Sequence, residues 1–131
     1  MTLALSIRQP WASLILLAGK DIENRTWEAR VRGPILIHAA KGMTTREYVE
    51  AMTFARAINP WGINNLFDSL HPDNLPRGGI IGSVNLVACL HRSPSPWFQG
   101  PYGFALRDPK PLPFVPLRGQ LGFFDVPGVQ P

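Results

Sequence analysis

Apolar residues recur along the chain in short runs separated by turn residues, and these runs predict a sheet with few helices. Short alternating or continuous apolar stretches are typical of strands. Gly79 and Gly82, within the longest run, indicate a bulge or a sharp bend. The predicted strands span residues 4–7, 35–38, 78–90, 102–106, 114–117 and 120–126, and residues 22–27 are compatible with a further extended segment.

Two segments are bounded by residues that are typical of helix termini. The first begins at Pro10, because proline in the first helical turn needs no N–H donor, and Gly19 ends it after residue 17. The second spans residues 44 or 45 to 58, with a threonine as N-cap and Glu47 in its first turn. Residues 61–77 and 93–101 are predicted loops, the first an irregular crossover. Five or six strands with two helices predict an α+β fold, a small β-barrel with helical insertions.

The composition is that of one globular domain. Hydrophobic residues make up 45% of the 131 residues and charged residues 17%, which excludes disordered and fibrous classes. The single cysteine, Cys89, can form no internal disulfide, and the histidines at 38, 71 and 91 lack the spacing of metal ligands. No apolar run reaches the roughly 20 residues that span a bilayer, and no signal peptide is recognisable. We therefore expect a soluble cytoplasmic domain without cofactor or metal, and the sequence leaves its oligomeric state open.

Positive charge is concentrated near the N-terminus. The formal net charge is +4 and the sequence pI about 9.8, which favours acidic partners such as nucleic acid. Across the first 46 positions three acidic residues stand against seven basic ones: Arg8, Lys20, Arg25, Arg30, Arg32, Lys41 and Arg46. A solvated surface explains any one of these residues equally well.

Both ends of the chain carry the residues of a known family. The N-terminal segments are LSIRQPWASL at 5–14, GK at 19–20, ENRTW at 23–27, RGP at 32–34 and IHA at 37–39, and the C-terminal ones are YGFAL at 102–106, PL at 111–112 and GQLGFF at 119–124. This pattern resembles the ASCH domain family. The resemblance implies a PUA-like β-barrel and a role in binding RNA or another nucleic acid.

We predict that one polar groove binds the nucleic acid or a nucleoside-like small molecule. Trp11 would offer a flat face for a base, Gln9 a donor and an acceptor for its edge, and Lys20 and Arg25 phosphate contacts. Alternation along an extended segment places Glu23 and Arg25 on one face, so the two can form an ion pair, which would reduce the charge available for phosphate. The predicted binding residues are Gln9, Trp11, Lys20, Asn24, Arg25, Arg32, His38 and Lys41.

Each of these residues also has a purely structural interpretation. Trp11 lies on the apolar face of its helix and can anchor the core, as Trp27 can pack inside the barrel. Gln9 can cap the helix that begins at Pro10. Lys20 can satisfy the last carbonyls of that helix. His38 ends an apolar strand, where a hydrogen-bonded core histidine is common.

A hydrolase is the alternative function. Some relatives in the wider family are amidohydrolases that use a lysine and a threonine three residues apart; here Lys20 matches, but Glu23 stands at the threonine position. That departure disfavours nucleophilic attack, because lysine cannot turn a carboxylate into an alkoxide-like attacker. Lys20 and Glu23 remain predicted catalytic residues for a ribonuclease or nucleoside amidohydrolase, with Glu23 as general base and Lys20 or Arg25 stabilising negative charge.

A third possibility is a protein-interaction module. Pro96, Trp97 and Phe98 form an aromatic stretch in a predicted loop. If exposed, these side chains could dock a partner protein.

Overall fold

The computed structural model describes residues 2–131, which form six strands and three α-helices. In the described residues no helix is both long and apolar enough to cross a membrane. In chain order the elements are β1 (Thr2–Ile7), α1 (Trp11–Leu17), β2 (Ile22–Arg25), β3 (Gly33–Ala39), α2 (Thr45–Ile58), α3 (Pro60–Asn65), a 3₁₀ turn (Pro72–Asn74), β4 (Gly79–Leu90), β5 (Tyr102–Pro116) and β6 (Phe123–Val126).

The six strands form one mixed sheet in the order β2-β5-β4-β3-β1-β6. β1 and β3 are parallel, and every other pair is antiparallel. The α+β class is confirmed, but the sheet is open, because β2 and β6 at its two edges do not pair. β6 pairs with β1 only as far as Leu5. The carbonyl of the next residue, Ser6, instead accepts a hydrogen bond of 2.8 Å from the side chain of Arg25 on β2. A single side-chain hydrogen bond therefore connects β2 to β1, whereas a closed barrel would have a row of backbone hydrogen bonds at this point.

The region expected to be an irregular crossover contains a third helix. Pro60 occupies the first turn of α3, and the Asn59 side chain caps the helix by accepting a hydrogen bond from the N–H of Gly62 at 3.0 Å. The prediction of two helices was therefore wrong. Pro60 follows the end of α2 and also begins α3, since proline is common at the first position of a helix.

β5 is continuous where two strands were predicted. Between the two predicted strands, the Pro-rich residues 107–113 continue as strand, with Asp108 at a positive φ of 54° and shifts of register against β4. The short β2 pairs with β5 only as far as Ala105. Prolines 109, 111 and 113 lie beyond the part of β5 that pairs with β2, so this edge of β5 is unpaired there. Proline is tolerated where a strand has an unpaired edge.

The N-terminus of α2 follows the predicted signal closely. Thr44 is the N-cap, and its hydroxyl accepts the N–H of Glu47 at 3.1 Å. The Glu47 carboxylate accepts the N–H of Thr44 in return, also at 3.1 Å. This reciprocal capping box satisfies two N–H groups that the helix leaves free.

The buried apolar residues form three clusters. In the first, Trp27 packs edge-on against Phe104 and Phe123, with ring centroids 5.2 and 5.5 Å apart, which confirms its packing role. In the second, the helices pack over Trp97, which is 4% exposed and whose ring centroid lies 6.0 Å from that of Phe54. The expectation that Trp97 is exposed for a partner protein was therefore wrong.

Candidate functional site

Gln9 connects β1 to α1 and is fully buried. Its Oε1 accepts the N–H of Ser13 at 3.0 Å, and its Nε2 donates to the Ser13 hydroxyl and to the carbonyl of Pro76, both at 2.8 Å. The carbonyl oxygen thus caps a free N–H group in the first turn of α1. The helix-capping interpretation of Gln9 is confirmed. Its side chain has no polar atom left to read a base.

Lys20, Glu23 and Arg25 form one hydrogen-bonded ion network. The Nζ of Lys20 and the Nε of Arg25 donate to the two different carboxylate oxygens of Glu23, each at 3.0 Å. The Glu23–Arg25 pair that the alternation along β2 allows is therefore present. Lys20 and Glu23 are only 3% and 8% exposed, and the Arg25 side chain is 23% exposed.

The ammonium group of Lys20 makes two hydrogen bonds and one cation–π contact. Besides Glu23 it donates to the carbonyl of Ile22, and it lies 5.4 Å from the ring centroid of Trp11. Gly19, at a φ of +76°, turns the chain so that the backbone N–H of Lys20 donates to the carbonyl of Leu14 at 3.2 Å and closes the end of α1. These contacts, together with an exposure of only 3%, give Lys20 a structural role inside the domain.

The same network gives no support to the catalytic prediction. Both oxygens of Glu23 are already engaged by cations, and a general base needs a free oxygen within hydrogen-bond reach of its proton. The role of Lys20 and Glu23 in hydrolysis therefore stays a prediction.

Asn24 fixes the loop that follows β4. Its Nδ2 donates to the carbonyl of Trp97 at 3.0 Å, and its Oδ1 accepts the N–H groups of Gln99 and Gly100 at 2.8 and 3.0 Å. Asn24 was predicted to bind a ligand; no local pattern indicates its contacts with this loop, which lies more than 70 positions away. These contacts already use its amide group.

A small cavity lies beside this cluster. Its lining residues are Trp11, Lys20, Glu23, Asn24 and Gln99, and its volume is about 140 Å³. Pockets for drug-sized molecules are commonly about 300–1,000 Å³. The cavity is therefore below the usual size of a nucleotide site.

A larger cavity lies at the ends of the parallel strands β1 and β3. We call it the basic cavity; its volume is about 850 Å³, and it is lined by Ser6, His38, Ala40, Lys41, Gly78, Leu117, Arg118, Gly119, Gln120 and Leu121. Its two basic side chains, Lys41 and Arg118, are exposed, and neither is in an ion pair among residues 2–131. No aspartate or glutamate lines it. The basic cavity thus presents positive charge that is not neutralised.

A neighbouring arginine is neutralised. Arg8 packs over Gly42, and its Nε lies 2.5 Å from a carboxylate oxygen of Glu47. The Arg8 guanidinium holds the pKa of Glu47 at about 2, well below the usual 4.5, with a further contribution from the backbone N–H of Thr44. Arg8 therefore adds little to the charge of the basic cavity.

His38 is held inside the wall of the basic cavity and is 2% exposed. One ring nitrogen, Nδ1, lies 2.9 Å from the Ser6 hydroxyl, and the other, Nε2, lies 2.6 Å from the carbonyl of Leu117. The expected hydrogen-bonded histidine is present. It also faces a cavity and contacts a hydroxyl that the sequence did not indicate.

Arg32 lies at the other end of β3. It is exposed and donates to the carbonyls of Ala29 and Val31 at 3.0 and 2.8 Å. Arg32 precedes the seven residues of β3 and Lys41 follows them, so the strand separates them by about 20 Å. The two residues do not share one compact site.

The single predicted groove is therefore divided in the structure. Trp11, Lys20 and Asn24 border the small cavity, His38 and Lys41 border the basic cavity, and Gln9 and Arg32 border neither. Arg25 connects the two groups, because it contacts both Glu23 and the backbone of Ser6.

Sequence reasoning missed Ser6 and Arg118. Ser6 is the register partner of His38 in the parallel pair of β1 and β3, a relation that no local pattern indicates. Arg118 follows β5 in a glycine-containing segment, where its charge resembles that of any surface residue. In residues 2–131 no group of three or more His, Cys, Asp or Glu side chains could hold a metal ion.

Comparison with known proteins gives one family and two related curated proteins. The family model "ASCH domain" matches residues 5–105. Over 87 residues, or 66% of this chain, the sequence is 33% identical to activating signal cointegrator 1 of Homo sapiens and 32% identical to the protein of the same name from Mus musculus. The matched part is only 14% of each relative's length.

Proposed function

The chain belongs to the ASCH domain family, and from that premise we propose that it binds nucleic acid, RNA in the first place, through the basic cavity. The family's association with RNA binding supports the general class of partner. The family's association does not indicate which surface of this chain binds RNA. The choice of the basic cavity rests on this chain's own charges.

The observation that carries the proposal is the unneutralised charge of that cavity. Lys41 and Arg118 are exposed, and no acidic side chain lines the surface between them. Lysine and arginine side chains that neutralise phosphates provide most of the affinity of non-specific nucleic-acid binding. The Lys20 network is the weaker candidate, because Lys20 is buried, Arg25 is partly buried and both are already paired with Glu23.

The test is fluorescence-anisotropy binding of labelled single-stranded RNA, single-stranded DNA and both duplexes at several salt concentrations. Lys41→Ala and Arg118→Ala should each weaken binding and lower the slope of log K against log salt by about 1. The matched control is Arg107→Ala, which removes an exposed arginine beside Asn85, about 20 Å along β4 from Gly79. The Arg107→Ala variant should bind nucleic acid as tightly as the unaltered protein does.

Two results would contradict the proposal. One is absence of binding to all four nucleic acids at low salt. The other is binding that Arg107→Ala weakens as much as Lys41→Ala does.

An unlabelled mononucleotide, added as competitor, tests the related prediction of a nucleoside-like ligand, which the 850 Å³ volume accommodates.

A further inference from the structure

Ser6 and His38 are opposite residues of two parallel strands, and both line the basic cavity. The Ser6 Oγ lies 2.9 Å from the His38 Nδ1, within hydrogen-bond reach. A hydroxyl, an imidazole and a group that orients the imidazole are the parts of an activated serine nucleophile. Here the orienting group is the backbone carbonyl of Leu117.

The protonation pattern of this pair follows from its partners. The carbonyl oxygen of Leu117 can only accept, so the Nε2 of His38, 2.6 Å away, carries a proton. In the neutral ring the lone pair is then on Nδ1, which accepts the proton of the Ser6 hydroxyl. The serine hydrogen therefore points at the base that would remove it.

We propose that Ser6 and His38 are the nucleophile and general base of an esterase site in the basic cavity, with anionic carboxylic esters as substrates. The Ser6 Oγ attacks the ester carbonyl carbon while its proton moves to His38 Nδ1. The bond from carbon to the leaving oxygen breaks, and that oxygen takes the proton as an alcohol. Water, deprotonated by His38, then hydrolyses the acyl-serine to release the carboxylic acid. The overall reaction converts an ester and water to a carboxylic acid and an alcohol.

Two further features of the cavity fit this chemistry. Lys41 and Arg118 supply positive charge for an anionic substrate and for the oxygen that gains charge during attack. Gly119 lies directly over the pair: a Cβ at this position would be 2.8 Å from the His38 Cε1 and 2.9 Å from the Ser6 Oγ. The absence of a side chain at Gly119 keeps the Ser6 oxygen open to the cavity.

This site differs from the predicted hydrolase residues Lys20 and Glu23, and it does not require that the cavity bind nucleic acid. The first measurement is covalent labelling with a fluorophosphonate probe, which reacts with activated serines. Trypsin cleavage after Arg8 releases residues 1–8, in which Ser6 is the only serine. Mass spectrometry should find the label on that peptide, and Ser6→Ala should remove it.

The second measurement is hydrolysis of 4-nitrophenyl succinate, which is anionic, beside neutral 4-nitrophenyl acetate. Ser6→Ala should lower kcat/KM for the succinate ester about 100-fold or more, the range of general-base catalysis. The matched control Ser83→Ala removes a serine from β4 and should leave the rate unchanged. Gly119→Ala should also lower the rate by blocking the Ser6 oxygen. This variant tests the site without replacing His38, a buried residue whose substitution can prevent folding.

Absence of label on Ser6 would overturn the proposal, as would a Ser6→Ala rate equal to that of the unaltered protein. Failure of the esterase proposal and failure of nucleic-acid binding are separable. Ser6→Ala should retain RNA affinity, because it removes no charge. Lys41→Ala and Arg118→Ala test RNA affinity directly.

Discussion

Replacing Glu23 by glutamine tests whether the buried ion network is structural. The variant leaves the Lys20 ammonium, whose side chain is 2% exposed, without a counter-charge. Removing one partner of a buried ion pair costs about 3–5 kcal/mol. At an unfolding entropy of about 2.1 cal/mol/K per residue, this cost lowers the Tm of a 131-residue domain by about 11–18 °C.

The assay is thermal unfolding followed by circular dichroism, with Lys20→Met and the double variant beside the single one. Replacing a buried ion pair by uncharged groups is often close to neutral. The double variant Lys20→Met/Glu23→Gln should therefore be more stable than Glu23→Gln alone. The exposed pair Arg46–Glu50, with side chains 87% and 66% exposed, supplies the control Glu50→Gln, which should barely change Tm.

A Glu23→Gln variant within about 3 °C of the native Tm would refute the reasoning, on the same entropy scale. So would a double variant less stable than Glu23→Gln. Nucleic-acid affinity provides an independent readout. If Lys20 is structural, variants of the network that still fold should bind RNA as tightly as the native protein does.

Two further predictions concern residues outside the network. Gln9→Ala should destabilise the domain by about 1–3 kcal/mol in urea unfolding, because it leaves polar groups such as the buried Ser13 N–H without a partner; an unchanged midpoint would contradict the capping role. The Arg8–Glu47 pair should stabilise the fold above pH 4.5, the usual pKa of the glutamate, and lose its effect as the pH falls through about 2. The difference in unfolding free energy between native protein and Glu47→Gln should therefore shrink between pH 5 and pH 2, and a constant difference would show that the pair is not responsible.

Local patterns were sufficient for most of the fold. Thr44 and Glu47 marked the start of α2, and the alternation along β2 placed Glu23 and Arg25 on one face. These features depend only on residues a few positions apart. Helix capping and the two-residue alternation of side chains along a strand are therefore sufficient to predict them. Pro60 shows the limit of this method, because the same residue ends one helix and begins the next.

Assembly of the site depended on contacts that no local pattern contains. The amide of Asn24 holds residues near position 100, and the Ser6 hydroxyl meets a histidine 32 positions away. Lys20 and Lys41 are both lysines after a structured element, yet one is 3% exposed and the other lies open on a cavity. The sequence predicts both charges, whereas burial and pairing decide which charge can meet a ligand.

By itself the sequence determined the α+β class, the ASCH family pattern, the main strands and the capped helix α2, because these follow from short-range periodicity and from residues at fixed spacing. Only the tertiary structure decided that the sheet stays open, that Gln9, Lys20 and Asn24 are held by internal hydrogen bonds, and that Ser6, His38, Lys41 and Arg118 share a cavity. The physical reason is that strand order and register bring distant residues together, and desolvation then determines which of their polar groups remain available.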